Sequence, residues 1–400
     1  MAESFPRLLV AAEFPPNASG GGPAIVRQML KDWPVERLYW WSCLPEDNQH
    51  FGQQVAEHSV ARIPRRLYPH RRWCGQKSWL LKNFWTPWAT RHFRKTLSRF
   101  KPDAVWVIPS GWAIPPLAQV LPSANIGFHV SIHDYADIPG AVAQLGARRS
   151  HKLAAMADQL YAAATTRDGI CQPMVDDLRA RTGCDGNVAR AGLEQEDFDF
   201  LATPKEAPAD RIRIGYAGTV QIEEVFEFFV SALQIIRERL PRPISLEFFG
   251  DHSYRTRRWF DPAWMTENGS LPALQLAGEL RKCTWGFSPM ALTDDDPRYN
   301  RFSFPAKFTS YLAAGLPLIV LGHPESSAVK MATAHEVGFC STTMDLAVLS
   351  DRLLKALAEP NPGLKYRAGI RRCATAEFDA RRMRAVLYEC FQKCASVSRA

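Results

Sequence analysis

Apolar positions along this chain fall into short continuous runs separated by helical patterns, and the alternation occurs twice. The first run, 7–13, is uniformly apolar between its ends, which predicts a strand covered on both faces of a parallel sheet. It leads into the stretch PPNASGGGP and a helix over 24–31. Further strands are expected at 36–42, 104–109, 124–131, 158–165 and 187–191, with helices between several of them. The polar, proline-bearing stretch 202–210 reads as a linker. After it the pattern restarts with a strand at 213–217, an amphipathic helix at 224–239, and strands at 245–250, 274–279 and 285–290. Strands alternating with helices in this way predict an α/β chain with doubly wound parallel sheets.

Residues 304–320, FPAKFTSYLAAGLPLIV, form the most informative segment: a short helix, a glycine stop and a buried strand. Pro305 suits the first helical turn, where its missing N–H would be unpaired anyway. Phe308, Tyr311 and Leu312 recur at helical spacing and give the segment an inward face. Lys307 stands in the first turn, where free N–H groups and the helix dipole attract anions. Gly315 stops the helix, Pro317 prevents its resumption, and the run 316–321 is too apolar for a sheet edge. The last stretch, 378–394, again carries apolar residues at helical spacing among many arginines.

Composition narrows the picture. Four hundred residues imply two or three domains, since single cores seldom exceed roughly 250–300 residues. With 46% hydrophobic and 22% charged residues the chain is an ordinary soluble globular protein. The apolar run near the start is too short for a signal peptide, and no segment reaches the roughly 18 apolar residues that span a bilayer. Nine cysteines without a Cys-x-x-Cys pair fit a reducing cytoplasm better than a disulfide framework or a zinc site. The net charge of +8 is unevenly placed: residues 62–100 hold eleven Lys or Arg and no Asp or Glu, interleaved with Trp73, Trp79, Phe84, Trp85, Trp88 and Phe93. Such a mixture suits an anionic membrane surface, an anionic acceptor or nucleic acid, and equally a solvated basic helix whose aromatics belong to the core. Among the functional readings a membrane or a lipid-linked acceptor is favoured over nucleic acid.

Three short motifs carry candidate chemistry. Gly20, Gly21 and Gly22 lie between a strand and a helix, where bare backbone can approach a phosphate, although the spacing fits neither a dinucleotide fingerprint nor a P-loop. His133 and Asp134 close the strand ending at Ile132, where an imidazole can hydrogen-bond a hydroxyl and a carboxylate can orient it. Gly218 and Thr219 occupy the turn between the strand at 213–217 and the following helix. Asp294, Asp295 and Asp296 invite a metal reading, but the neighbouring Pro297 and polar residues favour a solvated loop. No acyl-transfer triad is present.

Pro-x-Lys followed by Tyr-Leu-Ala-Ala-Gly-Leu-Pro at 305–317 resembles the donor-binding segment of nucleotide-sugar glycosyltransferases with the GT-B fold, family 4 in particular. The resemblance implies two Rossmann-like domains whose strand ends face a cleft: an acceptor domain at 1–201, a linker at 202–210, a donor domain at 211–377, and a helix at 378–400 packing back on the first domain. It implies a hexosyltransferase-type enzyme of polysaccharide biosynthesis that moves a sugar to a hydroxyl of a saccharide or lipid-linked saccharide, with retention. No metal and no cofactor is implied beyond the nucleotide-sugar itself as co-substrate. The enzyme would be cytoplasmic, peripheral on the inner face of the membrane, with residues 62–100 against an anionic surface. Gly21 and Gly22 then belong to the loop facing the donor diphosphate, and His133 and Asp134 stand beside the transferring sugar as the catalytic pair. Gly218, Thr219, Lys307 and Ser310 hold the nucleotide.

Two departures from the family pattern matter. Family members place Arg or Lys after the Gly218 turn, whereas Gln221, Glu223 and Glu224 follow here, so Lys307, Arg298 or Arg301 must supply the charge. Two family glutamates fall at Phe302 and Ser310, leaving Ser310 to make a weaker ribose contact than a carboxylate would. A catalytically degenerate, glycosyltransferase-like binding or scaffold subunit, or a nucleotide-sugar epimerase of the same fold, are the competing readings.

Overall fold

A computed structural model describes residues 5–18, 21–45, 52–68, 73–137, 142, 145–202, 210–295 and 297–397. Gly20, residues 69–72 of the basic stretch, 203–209 of the expected linker, and Asp296 lie outside the described residues. The chain forms two compact units, residues 1–191 with 380–400, and residues 192–379.

The first unit contains β1 (Leu8–Ala12), α1 (Gly21–Met29), β2 (Leu38–Ser42), β3 (Glu57–Val60), α2 (Cys74–Leu80), α3 (Thr86–Phe100), β4 (Ala104–Ile108) and α4 (Ile114–Val120). It continues through β5 (Phe128–Ile132), α5 (Ala147–Ala163), β6 (Thr166–Gly169), α6 (Gln172–Thr182) and β7 (Asn187–Val188). The second unit contains α7 (Gln195–Ala202), β8 (Ile212–Ala217), α8 (Glu223–Ile236), β9 (Ile244–Phe249), β10 (Met265–Glu267), α9 (Ala273–Arg281) and β11 (Trp285–Pro289). There follow α10 (Pro297–Phe302), α11 (Ala306–Ala313), β12 (Leu318–Leu321), α12 (Ser327–His335), β13 (Gly338–Ser341), α13 (Leu346–Leu357) and α14 (Pro362–Glu377). The last helix, α15 (Ala380–Val397), belongs to the first unit.

All described strand pairs are parallel, in the orders β3-β2-β1-β4-β5-β6-β7 and β10-β9-β8-β11-β12-β13. Each sheet is the doubly wound α/β arrangement that the alternating pattern predicts. In each the order reverses once, between β1 and β4 and between β8 and β11, the point at which sheets of this kind receive their ligands. The central strands β1, β4 and β5 are buried along their whole length, which accounts for the unbroken apolar runs of β1 and β4, while β5 carries His129 and Ser131 inside.

Two expected strands are helices. Residues 158–165 fall mostly within α5, where Leu153, Ala154, Ala157, Leu160 and Tyr161 are buried at helical spacing, and the strand begins only at Thr166. A short apolar run does not distinguish a strand from one helix face, and the alanines here favour the helix. Residues 274–279 lie in α9, opened by Pro272 at its N-cap, and the edge strand is instead β10, whose brief Met-Thr-Glu sequence carries almost no periodic signal. The expected linker position also lies beyond the point where the second unit starts, at Gly192.

Helix α15 completes the first unit. Phe391 packs with its ring centroid 5.3 Å from Trp106 and 5.6 Å from His129, and Cys394 lies against Thr166. Gly127, just before β5, is a space requirement: a Cβ there would sit 2.1 Å from the Cys394 carbonyl oxygen. Beneath the helix, His129 Nε2 bonds Asp168 Oδ2 at 2.7 Å with both side chains buried. Burial opposes the imidazolium, but the charge of Asp168 and its hydrogen bond outweigh it and raise the His129 pKa to about 9. All nine cysteines are free, and among the described residues no helix is long and apolar enough to cross a membrane.

Two outcomes test this packing. Gly127→Ala is expected to cost roughly 1–3 kcal/mol by overpacking, read as a lower urea midpoint. Because the folded pKa of His129 lies above its unfolded value of about 6.5, its contribution is complete below that pH and is lost as pH rises through 9. Urea midpoints are therefore expected to fall across that window, and Asp168→Asn to flatten the decline.

Candidate functional site

In the second unit the reversal point is built around α11. Strands β8 and β11 pair only at Trp285 with Ile214 and Gly286 with Gly215. Beyond that the Tyr311 hydroxyl takes over, donating to the Phe287 carbonyl at 2.9 Å and accepting from the Ala217 N–H at 3.0 Å. The ring lies flat enough on Gly286 that a Cβ there would meet it at 2.6 Å. One turn earlier on the same helix face, Lys307 reaches the end of β8.

The Lys307 ammonium donates to Tyr216 Oη at 2.7 Å and lies 4.1 Å from the centre of the Tyr216 ring. Tyr216 in turn donates to the Thr219 carbonyl at 2.8 Å, so Lys307, the end of β8 and the Gly218 turn are linked in one chain of contacts. Lys307 forms no ion pair among the described residues. Its side chain keeps some exposure, but the ammonium is enclosed by protein, and desolvation lowers its pKa to about 7. Pro305 sits one position earlier than the sequence suggests, at the N-cap rather than in the first turn, which places Lys307 among the first helical residues.

Gly218 adopts φ +88°, a conformation that favours glycine, while the space a side chain would take is open. Its N–H is bound to the Phe249 carbonyl at 2.8 Å, whereas the Thr219 N–H makes no backbone hydrogen bond among the described residues. The turn is braced from the loop after β9: His252 Nδ1 lies 3.1 Å from Thr219 Oγ1, and the Val220 N–H donates to Tyr254 Oη at 2.9 Å. Glu223, whose charge would oppose an anion at this turn, is engaged by Trp259 and Arg257 at 3.2 Å each. Nearby, Ile222, Val225 and Phe228 from the start of α8, with Leu292 and Met344, line an apolar pocket of about 210 Å³.

The other expected donor residues are more loosely placed. Arg301 on α10 faces Asp294 at 3.9 Å on the surface, and Arg298 on the same short helix is likewise engaged. Ser310, half-buried, lies one turn beyond Lys307 on α11. Asp295 accepts from Thr293 at 2.7 Å, and among the described residues no group of three or more His, Cys, Asp or Glu is placed to hold a metal ion.

In the first unit the structure brings His133 and the glycine loop together. His133 is buried at the end of β5, and its Nδ1, buried without a partner, lies 3.7 Å from where a Gly22 Cβ would stand. Burial lowers the His133 pKa, against an opposing pull from Asp168, and so favours a neutral ring. Gly21 opens α1 and is exposed, as is Asp134. Sequence reasoning passed over Glu13, which follows β1 at the reversal point. Its carboxylate accepts from the Trp112 N–H at 2.9 Å and lies against Gly111, whose φ of +45° and bare Cα make room for it. Burial raises its pKa, only partly offset by that hydrogen bond. The available signal was a lone carboxylate ending a fully buried strand.

No protein-family model and no curated protein matches this sequence. Solved structures do match it in architecture. A glycosyltransferase from Rickettsia africae ESF-5 has a TM-score of 0.65 at 12% identity, covering 97% of each chain. An α,α-trehalose-phosphate synthase (UDP-forming) from Burkholderia xenovorans, in complex with glucose-6-phosphate, has a TM-score of 0.63 at 12% identity, over 96% of this chain and 100% of that one. WaaG, a glycosyltransferase involved in lipopolysaccharide biosynthesis, has a TM-score of 0.62 at 10% identity, over 96% and 99%. These matches give the chain the GT-B fold.

Removing the Tyr311 hydroxyl tests how the reversal point is held. Tyr311→Phe strands the Ala217 N–H and the Phe287 carbonyl, and is expected to cost roughly 1–3 kcal/mol in urea unfolding.

Proposed function

We propose that this chain is a glycosyltransferase that moves a sugar from a nucleotide-sugar donor to a hydroxyl of a saccharide or lipid-linked saccharide acceptor, with retention and without a metal ion. The observation that carries the reading is Lys307: an amine enclosed at the start of α11, bonded to Tyr216, with no carboxylate partner among the described residues, beside a glycine turn at the reversal point of a GT-B sheet. Such an amine lacks a counter-charge, and a diphosphate supplies one. Departure of a nucleoside diphosphate accumulates negative charge, which a lysine at this position stabilises. The Thr219 N–H and the Gly218 turn add backbone approach to the phosphates, and Ser310 accepts or donates one hydrogen bond at the ribose. Arg298 and Arg301 are held in reserve for the same charge. On the first unit, the neutral His133 ring bonds a sugar hydroxyl beside Gly21 and Gly22, and the exposed Asp134 orients the acceptor hydroxyl. The UDP-forming neighbour makes UDP the first ligand to try.

Calorimetric titration with UDP, GDP, dTDP and CMP tests the donor site. One nucleotide is expected to saturate, and Lys307→Ala to weaken it by about tenfold or more, the loss of a charge-assisted hydrogen bond. Since the free amine titrates near 7 and the bound one is held protonated, affinity should be full below pH 7 and decline as pH rises above it, with proton uptake on binding. Absence of heat with every nucleotide would sink the enzyme reading. Binding without turnover on any donor would favour the scaffold reading, which the residues at Phe302 and Ser310 motivate.

A further inference from the structure

Every exposed large aromatic side chain among the described residues lies between 73 and 88: Trp73 at 62% exposure, Trp79 at 56%, Phe84 at 64% and Trp88 at 45%. Burying such rings stabilises a fold, so four left in water within one short stretch call for a partner. The backbone helps to present them. Between α2 and α3, residues Leu81–Trp85 form a single π-helical turn, an irregularity found mostly at functional sites. Across this turn the Trp79 and Phe84 rings meet edge to face at 5.7 Å. Phe84 and Trp88 then line a groove of about 390 Å³ with Leu67, Leu80, Trp85 and Arg62.

Charge identifies what covers this surface. Arg62, Arg65, Arg66, Lys82, Arg91 and Lys95 are all exposed, and the stretch 62–100 contains no acidic residue. A second copy of the same face would bring cations against cations. A nucleic acid would need polar partners for its base edges, which the carbon-lined groove does not offer. An anionic lipid meets both demands, with hydrocarbon in the groove and a phosphate at Arg62. We propose that this face docks on an anionic phospholipid bilayer, with Trp79, Phe84 and Trp88 entering the interface and the surrounding cations on the headgroups. This proposal does not rest on the donor-site reading, since none of these residues belongs to that site.

The test is flotation of the full chain with vesicles of phosphatidylcholine alone or with added phosphatidylglycerol. The protein is expected to float only with the anionic vesicles and to be released by high salt. Neutralising Arg62 and Arg91 together, as Arg62→Gln with Arg91→Gln, should lower partitioning about 30-fold, at about 1 kcal/mol per charge. Trp79→Ser with Phe84→Ser should lower it by at least about tenfold through lost apolar burial. Circular dichroism is expected to be unchanged in both variants, which separates lost docking from lost folding. Equal flotation on neutral vesicles, none on anionic vesicles at low salt, or flotation indifferent to both variant pairs would overturn the proposal. Dimerisation without vesicles, or oligonucleotide binding, that the same substitutions abolish while flotation is absent would assign the surface to those partners instead.

Discussion

The Tyr311 hydroxyl does between β8 and β11 what a ladder hydrogen bond does elsewhere in the sheet, but across a gap too wide for backbone to close. Each strand keeps a satisfied polar group, one N–H and one carbonyl, while their ends remain apart. A doubly wound sheet has to part at its reversal point to present strand ends to a ligand, and parting leaves main-chain groups that are costly to bury alone. Tyr311 resolves that conflict, and Gly286 is the surface on which its ring rests. The position of Lys307 follows from this arrangement. A helix pinned at Tyr311 has no freedom to turn, so the residue one turn earlier is delivered to Tyr216 and the Gly218 loop, away from bulk water.

The first unit handles its own reversal point differently. There a carboxylate, Glu13, spans from the end of β1 to the Trp112 N–H after β4, and Gly111 makes room for it as Gly286 does for Tyr311. Both are side-chain bridges over a parting of parallel strands, and burial disfavours the charged form of each, pushing the pKa of Glu13 and of Tyr311 upward. The two sheets therefore meet a common geometric demand with different chemistry, a carboxylate in one and a phenol hydroxyl in the other.

Much of the architecture was legible because fully buried parallel strands write themselves as unbroken apolar runs, as β1, β4 and β12 do. Where the signal was local and short it failed. The alanine-rich end of α5 and the Leu-Gln-Leu of α9 satisfy strand and helix patterns alike over a few residues, and tertiary packing decided for helix. Lys307 was found because its own helix, stop and strand are contiguous. What holds it was not: Tyr311 reaches Ala217 across 94 positions of sequence, Thr219 and His252 are 33 apart, and Glu13 and Trp112 are 99 apart. No periodicity links such partners. The exposed state of Trp79 and Trp88 was equally invisible, since helical spacing alone does not say which aromatics a core will accept.

The contact between Gly127 and α15 bears on the order in which the molecule can be made. The first unit lacks its cover over β4, β5 and β6 until residues 380–397 are present, because that cover is supplied by α15. The second unit, by contrast, is one uninterrupted stretch, 192–379. During synthesis a ribosome would thus release a segment able to close its own core before the segment that began first can do so. Trp106 and His129 would stay uncovered until the whole of the second unit had been made. Helix α15 is in that sense a latch on the first unit, and its arrival completes a fold that the second unit interrupts.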